Sequence, residues 1–157
     1  MALPHEVVRL NFAQEVERAR VLAKLHGWGW GDDPEKLTIR STFEASDAEK
    51  YILVGSFDDY KAKPPLLDFE DPVTGKVGTP HAYPKSHDSF FNTTGPCICA
   101  PFNRKAYSAL HGGWRFEDWT KSRESNVDWS NYSTMAGMLT LINTRLTLLD
   151  YYRGRMG

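Results

Sequence analysis

The amino-acid sequence predicts a single α+β domain that spans all 157 residues. Three observations predict this class: an amphipathic helix near the start, alternating apolar residues typical of antiparallel strands in the middle, and an apolar helix near the end. A chain of this length buries roughly two-thirds of the surface that its unfolded form exposes. We therefore expect one hydrophobic core and no internal domain boundary.

The first predicted helix runs from Asn11 to about His26. Its apolar stripe at helical spacing consists of Phe12, Val16, Ala19 and Ala23. Asn11 is the expected N-cap, with Gln14 three residues later as in a capping box, and Gly27 supplies the left-handed position that ends a helix. These features indicate an amphipathic helix that lies on the surface of the domain.

A meander of strands is predicted after this helix. Residues 28–34 are rich in Gly, Asp and Pro and are interpreted as a turn-rich connector. Alternating apolar residues predict one strand over about 37–43, a second over 50–57 and a shorter third over 66–69. Residues 70–94 carry few apolar side chains and predict a hairpin and extended loop with little regular structure.

The last predicted helix begins near Ser133 or Thr134, both good caps, and continues to Tyr152. The apolar residues on its core side are Met135, Met138, Leu139, Ile142, Leu146 and Leu149. Arg153 and Arg155 are predicted to lie at the negative end of its dipole. This is the expected main core helix.

The composition excludes several classes of function. Nineteen basic residues oppose 20 acidic ones, so no overall field attracts the protein to nucleic acid or to anionic lipid. No stretch approaches the roughly 18 apolar residues of a membrane span, and residues 1–6 lack the pattern of a signal peptide. We expect a cytoplasmic protein whose partners are recognised by local surfaces.

The two cysteines, Cys97 and Cys99, are the residues most open to chemistry. With one residue between them they cannot readily adopt disulfide geometry, so both are expected to be thiols. A cysteine can serve as a nucleophile or as a buried small hydrophobe. Zinc binding with His81, His87 or His111 is a further alternative, although the cysteine spacing fits no common zinc finger.

Two motifs resemble those of ubiquitin-conjugating enzymes. Residues 59–65, Asp-Tyr-Lys-Ala-Lys-Pro-Pro, followed by Phe69, are similar to the Tyr-Pro-x-x-Pro-Pro segment between two sheet strands of that family, with Lys61 in place of the first proline. Residues 95–101, Gly-Pro-Cys-Ile-Cys-Ala-Pro, resemble the Gly-x-Ile-Cys-Leu segment around the catalytic cysteine. Alignment on Ile-Cys makes Cys99 the nucleophile and Cys97 an additional thiol.

The resemblance extends over almost the whole chain in the right order. Trp119 or Trp129, followed by the Ser/Thr-capped last helix, is similar to the tryptophan and core helix that follow the cysteine in the family. The resemblance implies that Cys99 accepts a ubiquitin-like protein as a thioester from an activating enzyme and transfers it to a target, without a cofactor. Because the incoming thioester is already activated, an ordinary thiol with a pKa of about 8.5 needs no tightly paired base.

Besides Lys61, the chain departs from the eukaryotic enzymes in three places. Their His-Pro-Asn triplet is absent, and residues 89–92, Ser-Phe-Phe-Asn, lie near its position. By that position the resemblance implies for Asn92 the role of the family asparagine, which supports the active-site loop or the oxyanion. The stretch 65–99 is longer, and the chain stops after the core helix. This form resembles the bacterial members found in ubiquitination-like antiviral operons, which also encode an activating enzyme, a ubiquitin-like protein and a deconjugating metalloprotease.

Other residues are candidates for supporting roles. The basic residues of the first helix are Arg9, Arg18, Arg20 and Lys24. They are either a solvated face or, as the resemblance implies, part of the surface that docks the activating enzyme. Asp118 and Asp128 are candidates for assisting an incoming amine, because such an amine must be neutral to react. An inactive binding module with the same fold is the alternative that the missing triplet suggests.

Overall fold

A computed structural model describes residues 3–106 and 134–157 of the chain. Their order of elements confirms the α+β class. The elements are α1 (His5–His26), β1 (Gly29–Asp33), β2 (Thr38–Glu44), β3 (Lys50–Ser56), β4 (Leu66–Glu70), a 3-10 turn (Pro80–Ala82), β5 (Pro84–Ser86), β6 (Phe91–Asn92), β7 (Cys97–Ile98), α2 (Met135–Thr147) and β8 (Tyr152–Arg155).

The first four strands form an antiparallel meander in the order β1-β2-β3-β4. Side chains of β2 and β3 alternate between a buried inner face and a more exposed outer face, as the period of two requires. α2 packs against β2 and against α1, and α1 also contacts β1. Among the described residues, the sheet and the two helices that pack on it form two layers.

α1 is longer than the sequence pattern predicts. It begins at His5 after Pro4, so the prediction of Asn11 as N-cap is wrong. The side-chain amide of Asn11 instead donates a hydrogen bond to the carbonyl of Tyr60 at 3.1 Å. The additional residues are helical because Val8 reaches the core and extends the predicted apolar stripe, beside which Glu15 is also buried. Gly27 ends the helix in the left-handed region with φ of +71°, as expected.

Replacing Gly27 with alanine is expected to lower the free energy of unfolding by about 1–2 kcal/mol, the cost of a left-handed conformation for a residue with a Cβ atom. No atom lies within 4 Å of the position that the new Cβ would take, so the cost is conformational and not steric. Urea denaturation measures it. Gly27→Asn is the matched control and should lose less, because asparagine tolerates this region. Equal losses in both variants would contradict the explanation.

Part of the predicted connector is a strand. β1 contains two glycines and two aspartates, a composition that favours turns, yet it pairs with β2 along its whole length. The indole Nε1 of Trp30 donates to Asp32 at 2.7 Å, and Arg20 of α1 also binds this carboxylate. Long-range pairing and these side-chain bonds override the local preference.

α2 begins where predicted and ends earlier. The side chain of Thr134 accepts a hydrogen bond from the first turn, which confirms it as the N-cap. The helix ends at Thr147 and not at Tyr152, and Leu149 is 74% exposed and not in the core. Arg153 and Arg155 therefore lie in β8, which pairs with β5, and not at the helix end.

The core beneath the sheet is largely aromatic. Its fully buried rings include Phe12, Phe43, Tyr51, Phe57, Tyr60, Phe69, Tyr83, Phe91 and Phe102. The predicted loop 70–94 is mostly irregular, as expected, but it contributes Tyr83 and Phe91 to this core. Among the residues that the structure describes, neither helix is long and apolar enough to cross a membrane.

Candidate functional site

A short hairpin of β6 and β7 carries the cysteines. Asn92 of β6 pairs with Cys97 of β7, and residues 93–96 form the turn. The side-chain oxygen of Asn92 accepts hydrogen bonds from the backbone N–H groups of Thr94 and Gly95, both at 3.0 Å. This side chain therefore stabilises the turn that leads into the cysteine segment.

The two thiols have different surroundings. Cys97 is 1% exposed, whereas Cys99 is partly exposed. Burial and, to a smaller extent, the charge on the neighbouring Cys99 together raise the pKa of the Cys97 thiol to about 11. Burial also raises the pKa of Cys99. A large reaction partner can thus reach Cys99 more readily than Cys97, and at neutral pH the thiolate fraction of Cys99 lies below the few per cent of an ordinary cysteine.

Cys99 lies on a tightly hydrogen-bonded turn. Its backbone N–H donates to the carbonyl of Phe90 at 2.7 Å, which extends the pairing between the hairpin strands by one bond. The N–H of Ala100 donates to Ile98 at 3.1 Å, and the N–H of Asn103 donates to Ala100 at 2.9 Å. The chain therefore leaves β7 in a compact turn that presents Cys99 at its start.

The residues after this turn bind the double-proline motif. The backbone N–H of Arg104 donates to the carbonyl of Pro65 at 2.9 Å, and its Nε donates to Pro64 at 3.1 Å. Both prolines are buried, as is Tyr60. The fold thus brings the two motifs that resemble ubiquitin-conjugating enzymes into contact through Arg104, a residue that the sequence analysis did not identify.

A polar cluster joins the buried Asp68 of β4 to the buried Tyr83 and the partly exposed Lys105. The carboxylate of Asp68 accepts hydrogen bonds from the Tyr83 hydroxyl and the Lys105 ammonium group. Burial raises the pKa of Tyr83, and negative charge on Cys97 adds to the rise. Burial also lowers the pKa of Lys105. No sequence pattern predicted this group, because its members come from three separate segments.

The predicted docking residues of α1 differ in their pairing. Arg20 holds Asp32 through two hydrogen bonds of 2.9 and 2.7 Å, and this contact lowers the pKa of the Asp32 carboxyl. Arg9 forms an exposed ion pair with Glu35. Arg18 and Lys24 are exposed. The basic set is therefore partly neutralised by β1 and the turn after it.

The same helix also exposes aliphatic side chains. Val7, Leu10, Val21 and Leu25 are between 41% and 77% exposed. Their spacing places them on the side of α1 opposite the buried stripe. They form two apolar pairs, one near each end of α1, and the exposed Glu17 and Arg18 lie between the pairs on the same side.

Metal ligation finds no support among residues 3–106 and 134–157, where no group of three or more His, Cys, Asp or Glu side chains is arranged to hold an ion. His81 instead faces the buried Asp71, with its Nδ1 3.2 Å from the carboxylate. His87 is an exposed loop residue. The other predicted candidates, His111, Asp118, Trp119, Asp128 and Trp129, lie outside the described residues.

A separate open groove of about 720 Å³ lies on the outer face of the sheet. Its walls include Arg40, Val54, Leu66, Val77 and Lys105. This volume is within the range of small-molecule sites. The lining contains neither cysteine but includes Asp68 and Lys105 of the polar cluster, so the groove and the cysteine turn are distinct features.

No family model matches the sequence, and no curated protein matches it. The functional assignment therefore depends on the geometry of the cysteine turn and on the motifs that resemble ubiquitin-conjugating enzymes.

Proposed function

We propose that this protein carries a ubiquitin-like protein as a thioester on Cys99, which it receives from an activating enzyme and passes to an amine of a target. The observation that carries the proposal is the position of Cys99: a partly exposed thiol at the start of a hydrogen-bonded turn. The order of helix, antiparallel meander, cysteine segment and final helix also supports it.

The chemistry requires only an exchange of acyl partners. The Cys99 thiolate attacks the thioester carbonyl, a new carbon–sulfur bond forms, and the thiolate of the activating enzyme leaves with the electron pair of the old bond. A neutral amine then attacks the carbonyl and forms a carbon–nitrogen bond, the Cys99 thiolate leaves with the electron pair of the carbon–sulfur bond, and the proton that the nitrogen loses passes to water. Because burial raises the pKa of Cys99, loading is expected to accelerate as the pH rises above neutrality.

The proposed partner surface for the activating enzyme is α1. Its exposed aliphatic side chains offer apolar area, and the exposed Arg18 and Lys24 offer positive charge. The remaining proposed partners are the ubiquitin-like protein and, by the operon resemblance, a deconjugating metalloprotease. In this proposal the protein acts in bacterial antiviral defence.

The test is to incubate the protein with ATP and a lysate of its source organism, and then to separate it on a gel with and without reductant. Wild-type protein and Cys97→Ala are expected to shift upward in a reductant-sensitive way, whereas Cys99→Ala is not. A shift lost only in Cys97→Ala would move the nucleophile to Cys97. Absence of a shift in every variant, while a known activating enzyme in the lysate charges its own partner, would contradict the proposal.

A binding module without thioester chemistry is the second candidate function. The raised pKa and partial burial of Cys99 favour it, because both make the thiol less reactive. In that case a ubiquitin-like protein binds wild type and Cys99→Ala equally, and no reductant-sensitive product forms. Pull-down from the same lysate, with both variants as bait, separates the two candidates.

A further inference from the structure

Asn103, four residues after Cys99, has a side chain with an unusual set of partners. The residue is 0% exposed. Its Nδ2 donates to the carbonyl of Ile98 at 2.8 Å and to the carbonyl of Leu67 at 3.1 Å. Its Oδ1 accepts from the backbone N–H of Leu67 at 2.9 Å and of Lys105 at 3.2 Å. The amide thus uses both of its donors and both acceptor positions.

These bonds connect β4 to the peptide group that precedes Cys99. Leu67 belongs to β4, and the pair of bonds to its N–H and carbonyl copies the pattern of a neighbouring strand. The Ile98 carbonyl belongs to the same peptide unit as the Cys99 N–H, which donates to Phe90. That peptide unit is therefore held on one side by Phe90, which precedes β6, and on the other side by Asn103.

We propose that Asn103 is the positioning residue for Cys99, holding the peptide unit before the thiol against β4 so that the thiol keeps one orientation. The catalytic part of this inference depends on the proposed function. A reacting group displaced by about 1 Å can lose on the order of a hundredfold in rate, so a rigid anchor matters more here than stability alone.

If Asn103 served only as the N-cap of the residues that follow it, its side chain would need fewer hydrogen bonds. The bond from the Lys105 N–H to Oδ1 is of the kind that an N-cap side chain makes, and serine performs it well. The bonds of Nδ2 to two different segments have no capping function. Asn103→Ser therefore separates the roles, because serine retains the cap and is too short to bridge Leu67 and Ile98.

The first experiment measures alkylation of Cys99 by iodoacetamide against pH, with peptide mass spectrometry assigning the label. Wild type should show a midpoint above the ordinary value of about 8.5, because burial raises the thiol pKa. In Asn103→Ser and Asn103→Ala the pH midpoint of labelling should fall towards about 8.5. At a pH below the midpoint, each decrease of half a pKa unit should make labelling about threefold faster. A wild-type profile in Asn103→Ser would overturn the proposal.

Asn11→Ala is the matched control, since it removes another amide that donates to a backbone carbonyl but lies on α1. Its labelling profile should equal that of the wild type even if it is equally destabilised. In wild-type protein, both Nδ2 protons of Asn103 should exchange slowly with solvent in NMR spectra. Exchange as fast as that of a solvated amide would overturn the proposal even if no Asn103 variant folds.

The catalytic consequence is tested by single-turnover discharge of the Cys99 thioester to free lysine. Asn103→Ser should discharge at least about tenfold more slowly than Asn11→Ala. An equal rate would show that the anchor does not serve acyl transfer. If wild-type Cys99 does not load at all, the proposed function fails, whereas the labelling and exchange results still decide whether Asn103 positions the thiol.

Discussion

Phe69→Ala is expected to lower the free energy of unfolding by about 3–5 kcal/mol, the usual loss when a buried phenylalanine is truncated. Phe69 is 0% exposed. Its ring centroid lies 5.8 Å from that of Tyr51, 5.1 Å from Tyr83 and 5.7 Å from Phe91. The substitution removes apolar contact and leaves a cavity among rings that the strands and the hairpin hold in place.

Urea denaturation with circular dichroism measures this loss, and Phe69→Leu is the matched control. Leucine fills much of the space but loses the ring-to-ring contacts, so its destabilisation should be clearly smaller. Because Phe91 is part of β6, the alanine variant should also expose the buried Cys97 to thiol reagents. A loss below about 1 kcal/mol would show that Phe69 does not hold the hairpin against β4.

The periodic elements were predictable from the sequence because each buries one face. The α1 stripe, the three predicted strands and the cap of α2 follow directly from apolar spacing and capping chemistry. These patterns depend on neighbours within one segment, which a single sequence displays. The coarse fold class was therefore accessible before any three-dimensional information.

The errors arose where distant segments decide the conformation. β1 forms from turn-prone residues because β2 pairs with it. α2 stops at Thr147 although Leu148 and Leu149 continue an apolar pattern, because the following residues pair as β8 with β5. Asn11 has the chemistry of a cap, but Val8 adds core contacts upstream of it. Tertiary contacts outweighed local preference in all three places.

The candidate site was only partly predictable for the same reason. The sequence identified Cys97 and Cys99 as the relevant thiols but not their difference in exposure, since alternate residues of a continuing strand would share one face. β7 ends at Ile98, and the turn that follows separates the two environments. No sequence pattern marked Asn103 as more than a possible cap. Its side chain binds backbone groups of Leu67 and Ile98, and any residue type except proline at those two positions offers the same groups.

Glu15→Ala is expected to lower the free energy of unfolding by about 1.5–3 kcal/mol, the range for losing hydrogen bonds to a charged group. Glu15 is 2% exposed although it lies on α1. One carboxylate oxygen is 2.7 Å from the Lys61 ammonium group, and the other accepts the backbone N–H of Met135 at 3.0 Å. The side chain therefore connects the first helix to the start of the second.

The bond to Met135 should account for most of this loss. It satisfies a buried N–H at the N-terminus of α2, where a negative charge also interacts favourably with the helix dipole. The Lys61 side chain is 48% exposed, so water can solvate it after the substitution and the ion pair itself contributes little. Glu15→Gln should consequently recover part of the stability, because an amide oxygen can still accept the Met135 N–H.

Urea denaturation of Glu15→Ala, Glu15→Gln and Glu17→Ala measures these effects. Glu17 is the matched control, an exposed carboxylate on the same helix, and its removal should change stability by less than about 0.5 kcal/mol. High salt should scarcely reduce the difference between Glu15→Ala and wild type, since the decisive bond is buried. A loss equal to that of Glu17→Ala would mean that α1 and α2 are held together by their apolar contacts alone.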